Sequence, residues 1–256
     1  MSNGEFSIEG RGPPLFLIHG IGSARSAWRL LLPVLAQQFT VVTYDLRGHG
    51  SSARPDGEFG LDDLVEDLEQ IRKMTGIDQA HFAGHSLGGM IGPAYARKYP
   101  DRVLSLGLLS TAAGRTEDDR SKVWSVVHEM ERKGIGNVLQ TMTERWFTAR
   151  FIEQHPEVVR ARLKQVMDTD AEVFLNAFRI YAGTEMLAWL HEIVQPTLIL
   201  TGENDGGCSP RLNRKIADKI PNSKLVILPD YKHSILLEAG EEVAVHIVRF
   251  IQDLNL

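Results

Sequence analysis

Apolar positions follow two rhythms along the chain. Six short runs are apolar nearly throughout and are bounded by glycine, proline or polar residues: PLFLIHG (14–20), TVVTYD (40–45), AHFAG (80–84), RVLSLGLLST (102–111), PTLILTG (196–202) and KLVILP (224–229). Their length and β-branched content predict buried strands. Between them lie segments with helical spacing. SARSAWRLLLPVLAQQF (23–39) follows a capping serine, Ser23 or Ser26. GLDDLVEDLEQIRKMTG (60–76) puts Leu61, Leu64, Leu68 and Ile71 on one face, with acids early, bases late and Gly76 as a stop. LGGMIGPAYARKYP, SPRLNRKIADKIP and EEVAVHIVRFIQDL complete the alternation. Strands alternating with helices predict an α/β fold, a mostly parallel central sheet covered on both faces by helices.

The middle of the chain breaks this rhythm. From Ala112 to Glu192 only helical patterns occur: SKVWSVVHEMERKG, IGNVLQTMTERWF, PEVVRARLKQVM and DAEVFLNAFRIYAG. The simplest organisation is an α/β core formed by residues 1–112 and 193–256. A helical cap, residues 113–192, is inserted between two late strands. No internal repeat or low-complexity tract interrupts either part.

Composition narrows the function classes. Hydrophobic residues make up 43% and charged residues 24% of the 256, an ordinary globular balance. A net charge of −5 argues against a nucleic-acid partner, which would need a basic face. No apolar run is long enough for a bilayer, so no membrane partner is expected. The single cysteine, Cys208, cannot form an intrachain disulfide, and the start, MSNGEFSIEG, lacks the basic-then-apolar pattern of a signal peptide. A cytoplasmic protein acting on a small molecule is the expectation.

One stretch carries chemistry. Gly84-His85-Ser86-Leu87-Gly88 reads G-x-S-x-G at a predicted strand-to-helix junction. In that context it is a nucleophile elbow: a sharp turn lifts the serine hydroxyl above the sheet, and the flanking glycines let strand and helix backbones approach. The helix N-terminus beyond it favours developing negative charge. A serine hydroxyl needs a base oriented by an acid, in the chain order Ser, Asp or Glu, His. His233, in LPDYKHSILLE past the last apolar strand, is the predicted base; His246 falls within the last helix. Asp205, in TGENDGG, is the predicted acid, with Glu203 as its substitute; Asp230 is read as a turn residue. The oxyanion hole should use the N–H of Leu87 and that of Ile21, in HGIGS, a loop braced by His19. Cys208 is read as a packing residue, and Arg47 and His49 of RGHGSS as structural.

These pieces identify a resemblance. HGIGSARSAW, YDLRGHGSS, GHSLGGMIG, LTGENDGGCSP and KHSILLEA occur in the order found in the α/β-hydrolase fold superfamily. The chain is similar to capped serine hydrolases of that group, above all 3-oxoadipate enol-lactonases and small carboxylesterases. ERWFTARFIEQHPE resembles a stretch in the lactonase cap. The resemblance implies the triad Ser86, Asp205 and His233 and the donors Ile21 and Leu87. Related haloalkane dehalogenases and epoxide hydrolases place aspartate at the elbow, where this chain has serine.

The expected chemistry is hydrolysis of a carboxylic ester or lactone through an acyl-enzyme, with no metal or organic cofactor required. Alternatives are cleavage of a C–C or amide bond by the same triad, or a ligand-binding protein on this scaffold. His85, Trp124, Trp146 and Phe147 are candidates for the substrate pocket. Arg145, Arg150, Arg160 and Arg162 are candidates for a substrate carboxylate, or else occupy solvated helix faces.

Overall fold

The computed structural model describes residues 5–254; of the N-terminal stretch read above, Met1–Gly4 lie outside them. Seven strands form one sheet: β1 (Phe6–Gly10), β2 (Pro14–Ile18), β3 (Thr40–Tyr44), β4 (Ala80–His85), β5 (Val103–Leu109), β6 (Thr197–Gly202) and β7 (Ser223–Leu228). Their order across the sheet is β1-β3-β2-β4-β5-β6-β7. All neighbours run parallel except β1, which pairs antiparallel with β3, Phe6 opposite Tyr44. β1 escaped the sequence reading because it is an edge strand. Phe6 is half-buried and Ile8 is 48% exposed, so FSIEG lacks the apolar run of a central strand.

Side chains alternate between two core layers, as the two-residue period of a strand requires. Phe16 and Ile18 of β2 enter one layer, while Leu15 and Leu17 enter the other. The first layer is closed by α2 (Leu61–Thr75), α3 (Gly88–Lys98) and α9 (Pro210–Lys219), through Leu64, Leu68, Met90, Tyr95 and Ile216. The second is closed by α1 (Leu32–Leu35), α10 (Ile235–Glu238) and α11 (Gly240–Asp253), through Leu35, Leu236, Val243 and Ile247.

The continuous helix expected over 23–39 is broken. A 3-10 turn at Arg25–Trp28, capped by neither Ser23 nor Ser26, precedes the single-turn α1. Pro33 sits in the first turn of α1, where its missing N–H is tolerated; deeper inside a longer helix it would remove a bond. The apolar face survives the break: Trp28, Leu31 and Leu35 are all fully buried.

Five helices lie between β5 and β6: α4 (Glu117–Lys133), α5 (Ile135–Trp146), α6 (Ala149–Gln154), α7 (Pro156–Asp168) and α8 (Ala171–Gly183). The short α6 falls between two of the helical segments read from the sequence and is not itself predicted there. It is opened by Thr148, whose hydroxyl accepts the Phe151 N–H. Met130, Val138, Met142, Val166 and Phe174 give these helices a small core of their own.

Candidate active site

β4 ends at His85 and α3 begins at Gly88, so Ser86 occupies the turn between strand and helix. Its φ of 56° is left-handed, a strained conformation for a residue with a side chain. Three hydrogen bonds hold it. The Ser86 N–H donates to the Leu109 carbonyl at 2.9 Å, and the Ser86 carbonyl accepts from the Thr111 hydroxyl at 2.9 Å and the Gly89 N–H at 3.0 Å. The flanking glycines are sterically required: a Cβ on Gly84 would lie 2.0 Å from the Gly88 carbonyl oxygen, and one on Gly88 2.1 Å from that of Ile18. Two backbones pass where no methyl group fits.

His233 lies in the loop between β7 and α10, and Asp205 in the loop after β6. The His233 Nδ1–H donates to Asp205 Oδ2 at 2.8 Å. The other carboxylate oxygen accepts the N–H groups of Gly207, at 3.0 Å, and Cys208, at 2.8 Å. Burial works against the charge on both partners, but their mutual attraction wins. His233 is raised above the ordinary imidazole range by the Asp205 carboxylate, and Asp205 is held below the usual carboxylate range by His233 and the two amides. Glu203 instead accepts the N–H of Asp230, which occupies a left-handed turn at φ 66°. His85 donates from Nε2 to the His233 carbonyl at 3.0 Å, and burial, aided by the His233 charge, lowers it to about 3.

Ser86, His85, His233 and Asp205 share one cavity of about 700 Å³ with Ile21 and Trp146. Leu87 buries its side chain in the core below the elbow, with its N–H at the start of α3. His19 braces the Ile21 loop: its Nε2 accepts the Leu46 N–H at 2.9 Å, and its Nδ1–H donates to Gly20 O at 2.8 Å.

Two pocket expectations are corrected. Trp124 is not at the cavity wall. On α4 the wall is made by Asp119, Lys122, Val123 and Val126, an i, i+3, i+4, i+7 face, and Trp124 is turned about 100° from Val123. It packs beside His128 instead. Phe147 is fully buried away from the cavity, stacked on Phe151 at 5.5 Å; the preceding Trp146 takes the wall position. The same helical arithmetic could have found the α4 face. Of the four arginines, Arg145 and Arg162 reach the wall, whereas Arg150 and Arg160 are exposed on the helical surface.

The helical segment is tied to the loop of His233. The Ser234 N–H donates to the Trp146 carbonyl at 2.9 Å, and the Thr148 hydroxyl to the Glu238 carboxylate at 2.6 Å. Asp205, Cys208 and His233 offer possible metal-ligand atoms within 4.8 Å of one another. An ion there would have to replace the proton that His233 and Asp205 already share. Cys208 itself is fully buried against the Tyr181 hydroxyl at 3.4 Å.

Residues 13–240 match the model of the alpha/beta hydrolase fold, and the chain belongs to that family. The mostly parallel seven-stranded sheet with flanking helices is this fold. Several relatives are enzymes. The chain is 29% identical over 217 residues to a 3-oxoadipate enol-lactonase of Acinetobacter baylyi, covering 84% of this chain and 80% of that one. It is 25% identical over 240 residues to an (E)-2-((N-methylformamido)methylene)succinate hydrolase of the same organism, covering 92% and 89%. The crystal structure of an enol-lactonase from Burkholderia xenovorans superimposes with a TM-score of 0.91 at 25% identity, covering 98% of this chain and 97% of that one. Like these relatives, the protein is a hydrolase of small molecules. No helix among the described residues is long and apolar enough to cross a membrane.

Proposed function

We propose that this hydrolase cleaves carboxylic esters or lactones with Ser86 as nucleophile, His233 as base and Asp205 as its orienting acid. The observation that carries the reading is the 2.8 Å His233–Asp205 pair, facing the same cavity as a serine held at a strained elbow. Ser86 Oγ bonds to the carbonyl carbon while its proton passes to His233 Nε2. The Ile21 and Leu87 N–H groups receive the oxyanion. As it collapses, the bond to the leaving oxygen breaks and that oxygen takes the proton from His233. Water then repeats the sequence on the acyl-enzyme and frees the acid and Ser86.

In this reading α4–α8 act as a cap, closing the cavity above the sheet. Trp146, Met142, Phe174 and Phe178 supply apolar wall for the acyl group. Arg145 forms no ion pair among the described residues, which favours a substrate bearing a carboxylate. The lactonase named among the relatives supports lactones as one substrate class. The buried, unpaired Cys208 fits a reducing, cytoplasmic setting.

The test is a panel of p-nitrophenyl esters of rising chain length together with neutral and carboxylate-bearing lactones. Turnover is expected, faster on carboxylate-bearing lactones than on matched neutral ones. Absence of hydrolysis across the panel, with no labelling of Ser86 by a fluorophosphonate, would contradict the proposal.

A further inference from the structure

Arg162, on α7, is a cation in the cavity wall with no carboxylate partner among the described residues. Burial depresses its guanidinium to about 10, so it stays charged at neutral pH. Such a charge is costly to hold there unless it does something. Its hydrogen bonds show where it is committed. Nη2 donates to the Ile21 carbonyl at 3.0 Å, and Nη1 donates to the Gly22 carbonyl. One planar group thus holds two consecutive peptide carbonyls of the loop after β2. Its outer face is covered by the Trp146 ring, 5.3 Å from the guanidinium carbon to the centroid.

The loop it holds has freedom to lose. Gly22 has a left-handed φ of 57°, and a Cβ there would meet the Phe174 ring at 2.5 Å. The Ile21 N–H shares its peptide plane with the Gly20 carbonyl, which His19 holds; the two carbonyls held by Arg162 belong to the next two peptide units, so the guanidinium acts on that N–H by fixing the backbone on the far side of the Ile21 Cα, where Gly22 would otherwise leave it free to turn. His19 fixes Gly20 from below, while Arg162, Val166 and Phe174 of the helical segment approach Ile21 and Gly22 from above.

We propose that Arg162 is a positioning residue that clamps the oxyanion loop, so that docking of α7 sets the orientation of the Ile21 N–H. This rests on the assignment of Ile21 as an oxyanion donor. The guanidinium works through the loop and need not touch the substrate. Its charge also lies close enough to reinforce the burial that keeps His19, His49 and His85 neutral.

The experiment compares wild type with Arg162→Ala and Arg162→Lys in two readouts. Amide hydrogen exchange of residues 20–24 reads the clamp without any need for turnover. Steady-state hydrolysis of p-nitrophenyl acetate reads its effect on the chemistry. The expected result for Arg162→Ala is exchange in that loop faster by about 10-fold or more, kcat lower by about 10- to 100-fold and KM changed less than about 3-fold. Arg162→Lys, which keeps the charge and can reach one carbonyl, should fall between; it carries both readouts if the alanine variant does not fold. Unchanged loop exchange would overturn the clamp. Faster exchange with kcat intact and KM raised would overturn its service to the oxyanion. If wild type itself fails to hydrolyse the ester, the loss belongs to the proposed function, and the exchange result still decides the clamp.

Discussion

The Nε2–H of His85 donates to the backbone carbonyl of His233 at 3.0 Å, and the two imidazoles stand 4.9 Å apart, centroid to centroid. The residue before the proposed nucleophile therefore fixes the backbone of the proposed base. This bond spans from the end of β4 to the loop after β7, across the width of two intervening strands. Burial lowers His85 to about 3, which makes it a poor proton acceptor and leaves it serving as a neutral donor. His85→Ala should lower kcat by about 10-fold through misplacement of His233. His85→Gln, which retains a donor, should recover part of that loss. Equal kcat in wild type and His85→Ala would show that the His233 loop needs no such tether.

The His233–Asp205 pair sets a pH dependence. Turnover needs neutral His233 Nε2, so kcat/KM rises as pH passes upward through the His233 pKa. Because Asp205 raises that pKa, the acid limb should lie above 6.5, the ordinary imidazole value. Asp205→Asn removes the charge that raises it, so the limb should move to lower pH. The same change should cut kcat by about 10³- to 10⁴-fold, because the amide no longer fixes the productive tautomer. A pH–rate profile of each protein measures both effects.

A second buried ion pair stabilises the fold away from the cavity. Glu69, 3% exposed, accepts Arg72 Nε at 2.8 Å, Arg72 Nη2 at 2.9 Å and the Tyr95 hydroxyl at 2.7 Å. The Arg72 hydrogen bond leads the interactions that hold its carboxyl down at about 2. A folded-state pKa below the unfolded one stabilises the protein above pH 4.5 and is lost as pH falls toward 2. Glu69→Gln should cost about 3 kcal/mol at neutral pH, because Arg72 is left buried without its counter-charge. The gap to wild type should narrow as the pH is lowered from about 5 to 3. Chemical denaturation at several pH values measures this.

The sheet was legible because its five inner strands are apolar on both faces and the edge strand β7 keeps an apolar run, LVIL, whereas β1 was not because its outer positions face water. The helical segment was legible as a block, since its periodicity excludes strands, but the short α6 carries too few residues to show a period. At the site, the G-x-S-x-G spacing follows from local backbone needs and is readable in one dimension, whereas Asp205 and His233 are placed by the chain order of the fold that the motifs resemble. The pocket wall is not. Trp146 faces the cavity while Phe147 turns into packing, a difference of one residue at a helix end. Arg162 likewise reads as one of four arginines in a row of helical polar positions. Its bonds to Ile21 and Gly22 join residues 141 and 140 positions apart, which no local pattern encodes.

The central claim concerns Ser86. Hydrolysis of p-nitrophenyl esters and lactones should be measured for wild type and Ser86→Ala side by side, with thermal melting of both. The account predicts that turnover disappears in the variant while melting remains cooperative. A folded Ser86→Ala protein that hydrolyses these substrates at the wild-type rate would contradict it.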